Sequence, residues 1–171
     1  MVDFSIFDWE NIFGVVESVS TCSRNQLRPL SAEIIEKSIS KYSGGQLQYM
    51  GDCVNGYDFC DTEGIRYECK SKKGMFQKKS FFTKEIIVKN YFGLMTDNIP
   101  QTFDQMILMD TTQNSVGIIS HQTAVKCARI TNSSITTRIP LTDVKYVARN
   151  VTPTKKPNFE NILNDFIAQA I

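Results

Sequence analysis

Residues 56–73, GYDFCDTEGIRYECKSKK, constrain the fold more than any other stretch of the chain. Apolar and polar residues alternate on both sides of CDTEG, which is the period of a half-buried strand, and Gly64 supplies the backbone freedom that a tight reversal needs. The spacing predicts two short strands, GYDF and IRYECKSK, meeting at a turn. Residues two apart on a strand share a face, so Glu68 and Lys70 point one way while Tyr67 and Cys69 point into the opposite layer. A reversal near Gly64 returns Asp58 to the side of Glu68.

The rest of the chain predicts helices and strands in alternation. DWENIFGVVESVS has helical apolar spacing, and LSAEIIEKSISKY is a second helix with Ser31 as its N-cap and Gly44-Gly45 at its end. QLQYMGD reads as the first strand. KSFFTKEIIVKNYF, 79–92, satisfies either period and is read as a helix. QMILMDTTQNSVGIIS predicts a hairpin, HQTAVKCARI a short helix, SITTRIPLTDVKYVA an extended segment placed at an edge by Pro140, and NFENILNDFIAQAI a closing amphipathic helix. With 171 residues, 42% of them hydrophobic and 11% aromatic, the chain can bury one proper core. The expected fold class is α/β, a central mixed β-sheet flanked by helices, in a single domain over 1–171. Within it, 1–45 are helical, 46–150 form the sheet core and 151–171 close as a helix. No run of eighteen apolar residues and no secretory leader occurs, so a soluble cytoplasmic protein without a membrane segment is expected. Five cysteines fit reduced thiols better than a disulfide framework.

Two carboxylates on adjacent strands that converge on one point offer what Mg²⁺ takes: a few oxygen ligands, with positions left open for water and phosphate. Asp58 and Glu68 are the candidate ligands, and the backbone carbonyl of Cys69 adds a further oxygen. Lys70, with its Cβ about 6–7 Å from that of Glu68 along the strand, has its ammonium within reach of an attacking water. Charge is concentrated beside this group. Between Arg66 and Lys89 there are eight basic residues against two acidic ones, a net of +6, whereas the remainder holds 11 basic and 16 acidic residues, a net of −5. An anionic polymer would bind at the basic segment.

The spacing of Asp58, nine intervening residues and then Glu68-Cys69-Lys70 resembles the signature of the PD-(D/E)xK nuclease superfamily, whose best-known members are type II restriction endonucleases. NGYDFCDTEGIRYECKS is similar to the corresponding stretch of the PvuII-like group, including the turn glycine, the tyrosine before the glutamate and the serine after the lysine. A weaker likeness runs through KSFFTKEIIVKNY and IPLTDVKYV. Tyr57 stands where the superfamily carries a proline. The resemblance implies a restriction-endonuclease-like core and a Mg²⁺-dependent type II site-specific deoxyribonuclease. Asp58 and Glu68 would hold the metal; Lys70 would orient or deprotonate the attacking water, leaving 5′-phosphate and 3′-hydroxyl ends. It also implies that Mn²⁺ substitutes, that Ca²⁺ supports binding without cleavage, and that either Glu33 or Glu36 on the upstream helix assists at the metal. A homodimer acting on double-stranded DNA is expected, because cutting both strands of a palindrome takes two sites related by two-fold symmetry, and a companion methyltransferase on the same site accompanies such enzymes. Phe4, Phe7 and Trp9 are read as exposed and as the dimer surface.

For DNA, Lys72, Lys73, Lys78, Lys79 and Lys84 are candidate phosphate contacts. Gln77, Lys79, Thr83 and Asn90 lie where the PvuII-like enzymes carry base readers, with Arg138 or Asn132 on a later loop; each is also an ordinary solvated polar residue. A homing, nicking, junction-resolving or repair nuclease would use the same three residues, and a non-catalytic nucleic-acid-binding protein would use none of them. A zinc site from Cys53, Cys60, Cys69, Cys127 and His121 is disfavoured, since their spacings match no knuckle.

Overall fold

In the computed structural model the predicted hairpin lies inside a six-stranded mixed sheet. The structure describes residues 1–20, 28–51, 56–76, 86–87, 102–131, 134–137, 139–153, 157 and 159–169. Along the chain run α1 (Trp9–Ser20), α2 (Arg28–Lys41), β1 (Leu47–Tyr49), β2 (Phe59–Asp61), β3 (Arg66–Lys72) and β4 (Ile86–Ile87). After these come β5 (Gln105–Asp110), β6 (Ser115–Ser120), α3 (His121–Cys127), β7 (Ala128–Thr131), β8 (Ser134–Thr137), β9 (Lys145–Ala148) and α4 (Phe159–Gln169). The main sheet has the order β1-β2-β3-β5-β6-β9, and a three-stranded sheet has the order β4-β8-β7. Every neighbouring pair of the main sheet is antiparallel except β3 and β5. A parallel pair needs a crossover, and the chain between Lys72 and Gln105 provides it.

Alternation along the strands sorts the core into two faces. Tyr67 and Cys69 of β3 and Ile107 and Met109 of β5 join Ile12, Phe13 and Val16 of α1 and Ile35 and Ile39 of α2. Met106 and Leu108 of β5 face the other way, with Met75, Phe76, Phe103, Ala124 and Val144. Fully burying rings such as Phe13 and Phe59, both without solvent exposure, stabilises by about 1.5–3 kcal/mol each. α4 closes the helical layer, Ile162 packing on Val15, Val19 and Ile34. Among the described residues no helix is long and apolar enough to cross a membrane.

The turn after β2 is built as expected. Gly64 sits at φ +82°, and the Asp61 carboxylate accepts the N–H groups of Glu63 and Ile65, both at 2.9 Å, and the Tyr67 hydroxyl at 3.1 Å. Four expectations are corrected. Phe7 and Trp9 are 5% and 7% exposed and belong to the main core, with the Trp9 indole N–H donating to the Phe4 carbonyl at 3.0 Å, so these rings do not offer a dimer surface. Ser31 is no N-cap: α2 begins at Arg28, since Pro29 in a first helical turn sacrifices no intrahelical bond. Within 79–92 the described pair Ile86–Ile87 is a strand on β8, as two adjacent β-branched residues favour; the rest of that segment lies outside the described residues. Ala128 and Arg129, read as the end of a helix, begin β7.

Candidate active site

Strand pairing brings the candidate residues together. Phe59 faces Tyr67 and Cys60 faces Arg66 across β2 and β3, and the Asp58 N–H donates to the Tyr67 carbonyl at 2.8 Å, which sets Asp58 beside Glu68. Just upstream, Gly56 at φ +95° passes so close to Thr102 that an added Cβ would lie 2.4 Å from the Thr102 Cβ; only glycine lets the chain enter the site along this path. The Asp58 carboxylate accepts the Cys69 N–H at 2.7 Å, and the neighbouring Glu68 charge acts on it. Glu68, 8% exposed, accepts a short hydrogen bond from the Lys70 ammonium. Thus Asp58, Glu68 and Lys70 form one contiguous group, on the face of β3 that the alternation predicts.

The electrostatics record crowding of negative charge. Burial and then the neighbouring Glu68 raise the Asp58 carboxyl from 3.8 to about 6. Glu36 of α2 is raised from 4.5 to about 8, by burial first and then by Asp58 and Glu68. Of the two helix glutamates, Glu36 is therefore the one the structure turns to the site; Glu33 is held by Lys37 at 3.1 Å, one turn along the same helix. For Lys70, burial lowers the pKa, but Glu68, through its charge and its hydrogen bond, outweighs burial and holds the ammonium above its ordinary value. Lys70 is thus a cation here, suited to neutralising charge and orienting water. The Cys69 thiol, pushed up by burial, belongs to the opposite, apolar layer.

Arg66, two residues before Glu68, is fixed by Asp104. Its guanidinium donates to both oxygens of that carboxylate at 3.0 Å, its backbone N–H donates to Oδ2 at 2.9 Å, and the Asp104 N–H donates back to the Arg66 carbonyl at 2.9 Å. The bidentate bond holds the Asp104 carboxyl below its usual range. His121 donates its backbone N–H to the Asp104 carbonyl at 2.9 Å, and its ring, lowered in pKa by burial, lies edge-on to Phe103. At the far end of β5, fully buried Asp110 accepts the N–H groups of Gly74, Thr112 and Gln113 on Oδ1 and of Phe76 on Oδ2. The sequence reading missed both aspartates. A signal for Asp110 existed: an acid that ends an apolar strand at a polar turn is a side-chain acceptor for turn N–H groups.

Of the DNA candidates, Lys72 and Lys73 are exposed where β3 ends. Gln77, Lys78, Lys79, Thr83, Lys84, Asn90, Asn132 and Arg138 lie outside the described residues. The described cysteines, Cys60, Cys69 and Cys127, are free thiols. Fold and site together define an α/β protein with a carboxyl pair and an ammonium gathered on one hairpin of a mixed sheet. No protein-family model matches the chain, and no curated protein matches it.

Proposed function

We propose that this chain is a Mg²⁺-dependent endonuclease of the PD-(D/E)xK superfamily, of the restriction type, that hydrolyses double-stranded DNA at a short palindrome as a homodimer. One observation carries the reading: strand pairing sets Asp58 beside Glu68, and Lys70 is bonded to Glu68 on the same strand face. The Glu68 charge that helps raise the proton affinity of Asp58 is what a divalent cation relieves. Among the described residues no three His, Cys, Asp or Glu groups are gathered at metal-binding spacing. Asp58 and Glu68 nevertheless fit Mg²⁺, which takes one or two protein carboxylates and fills its other positions with water and phosphate oxygens.

When bound, Mg²⁺ would polarise the scissile phosphate and make a water more acidic. Asp58 and Glu68 would hold it, with the Cys69 carbonyl as a further oxygen, and Glu36 stands behind the pair as a third acid that ionises when positive charge arrives. Lys70, released from Glu68, would orient the attacking water and neutralise charge that builds on the phosphoryl oxygens. Attack in line with the 3′ oxygen leaves a 5′-phosphate and a 3′-hydroxyl. Mn²⁺ would substitute, whereas Ca²⁺ would support binding alone.

Incubation with plasmid and long viral DNA, with and without Mg²⁺, and sequencing of the ends tests the proposal. Discrete ends that share one palindrome are expected. They should disappear in Lys70→Ala and Asp58→Ala, while DNA binding in Ca²⁺ persists. Nicks or branch-dependent cuts would move the protein to the homing, nicking, junction-resolving or repair relatives. Retardation of DNA without scission in Mg²⁺ or Mn²⁺ would overturn the catalytic reading.

A further inference from the structure

We propose that Asp104 sequesters the Arg66 guanidinium, so that a divalent cation and not an arginine becomes the counter-ion of Asp58 and Glu68. The inference rests on the proposed metal site and concerns how the chain keeps that site available. Arg66 and Glu68 lie two apart on β3 and share a face, with Cβ atoms about 6–7 Å apart. A guanidinium on a three-carbon stem spans that distance, and the matching carboxylate geometry makes Arg a stronger competitor than Lys. Left alone, Arg66 would have Glu68, on its own strand face and bonded to the Lys70 ammonium, as the next carboxylate, and would add a second cation beside Asp58 and Glu68. Asp104 prevents this with a bidentate bond at 3.0 Å to each oxygen, while the Arg66 backbone N–H donates to the same carboxylate. The Tyr57 ring, its centre 6.0 Å from the guanidinium carbon, packs against it as well. The backbone bonds between Arg66, Asp104 and His121 hold the acceptor in place without using the carboxylate.

A merely structural clamp and a charge trap give different results when the two partners are changed separately. Asp104→Asn keeps the shape and leaves a cation with a weaker anchor. Arg66→Gln removes the cation, and Arg66→Gln with Asp104→Asn removes both charges. Mn²⁺ binding, followed by the electron paramagnetic resonance of free Mn²⁺, reads the site without catalysis, and thermal melting checks the fold of each variant. Asp104→Asn is expected to weaken Mn²⁺ binding by about tenfold, the low end for an opposite charge a few ångströms away on a partly exposed site. Arg66→Gln and the double variant are expected to bind as the unaltered protein does. Unchanged affinity in Asp104→Asn, or equal losses in all three variants, would overturn the proposal. Should Asp104→Asn not fold, Arg66→Gln decides: a tenfold loss there rejects the trap. Failure of the unaltered protein to bind Mn²⁺ would instead remove the metal reading itself.

Discussion

Glu36, Asp58 and Glu68 act on one another through their charges, Lys70 offsets them only in part, and the surplus shows as protons held too tightly on Glu36 and Asp58. Burial and the neighbouring acids push Glu36 up from 4.5 to about 8 and Asp58 up from 3.8 to about 6. Between the unfolded and folded values the folded chain binds protons that the unfolded chain has released, so the metal-free protein loses stability as pH rises through that window and levels off above it. Urea unfolding in EDTA from pH 4 to 9 is expected to show this fall. Glu36→Gln should flatten the upper part and stabilise the metal-free protein at pH 8 by on the order of 1–3 kcal/mol. An unchanged profile in Glu36→Gln would show that this carboxyl does not carry the charge strain. Asp58, Glu68 and Lys70 are legible in the sequence because strand alternation and one turn fix where they point. Glu36 is not: Glu33 and Glu36 lie about one turn apart on α2, and only the packing of that helix, with Lys37 over Tyr49 of β1, tells them apart.

Among the elements, the β5–β6 hairpin and the turn after β3 depend on one side chain. Asp110 Oδ1 accepts three N–H groups at 2.9–3.1 Å, and Oδ2 accepts that of Phe76 at 2.7 Å. Asp110→Asn can keep the first three but turns an NH₂ towards the Phe76 N–H, leaving a buried donor facing a donor. A cost of about 2 kcal/mol or more is expected, read as a lower urea midpoint at unchanged slope. A midpoint within error of the unaltered protein would show that the turn holds itself. The hairpins β2–β3 and β5–β6 are legible for a related reason: their registers are local, set by alternation and by polar residues at the turns. Strands β4 and β7 are not. The isoleucines at 86–87 become a strand because β8 lies beside them, a partner about fifty residues away that no local period reveals.

For the molecule as a whole, the proposed function needs a surface that meets DNA and a surface that meets a second copy. Phe7 and Trp9 are spent on the core, so the dimer cannot be built on those rings. The proposed DNA side rests on the charge along the sequence, +6 over 66–89 against −5 elsewhere. An acidic site meets an anionic polymer at a penalty, which nearby lysines offset; Lys72, the last residue of the strand that carries Glu68 and Lys70, and Lys73, just after it, are both exposed. If each neutralises one phosphate, the double change Lys72→Ala and Lys73→Ala lowers the slope of log affinity against log salt by about 1.8. It should weaken cognate and non-cognate duplexes alike, because phosphate contacts carry no sequence information. Fluorescence anisotropy in Ca²⁺, from low to moderate salt on both duplexes, reads the two effects separately. An unchanged slope would put these lysines away from the backbone. A loss confined to one sequence would make them base readers and would move the protein's groove-facing surface to the end of β3.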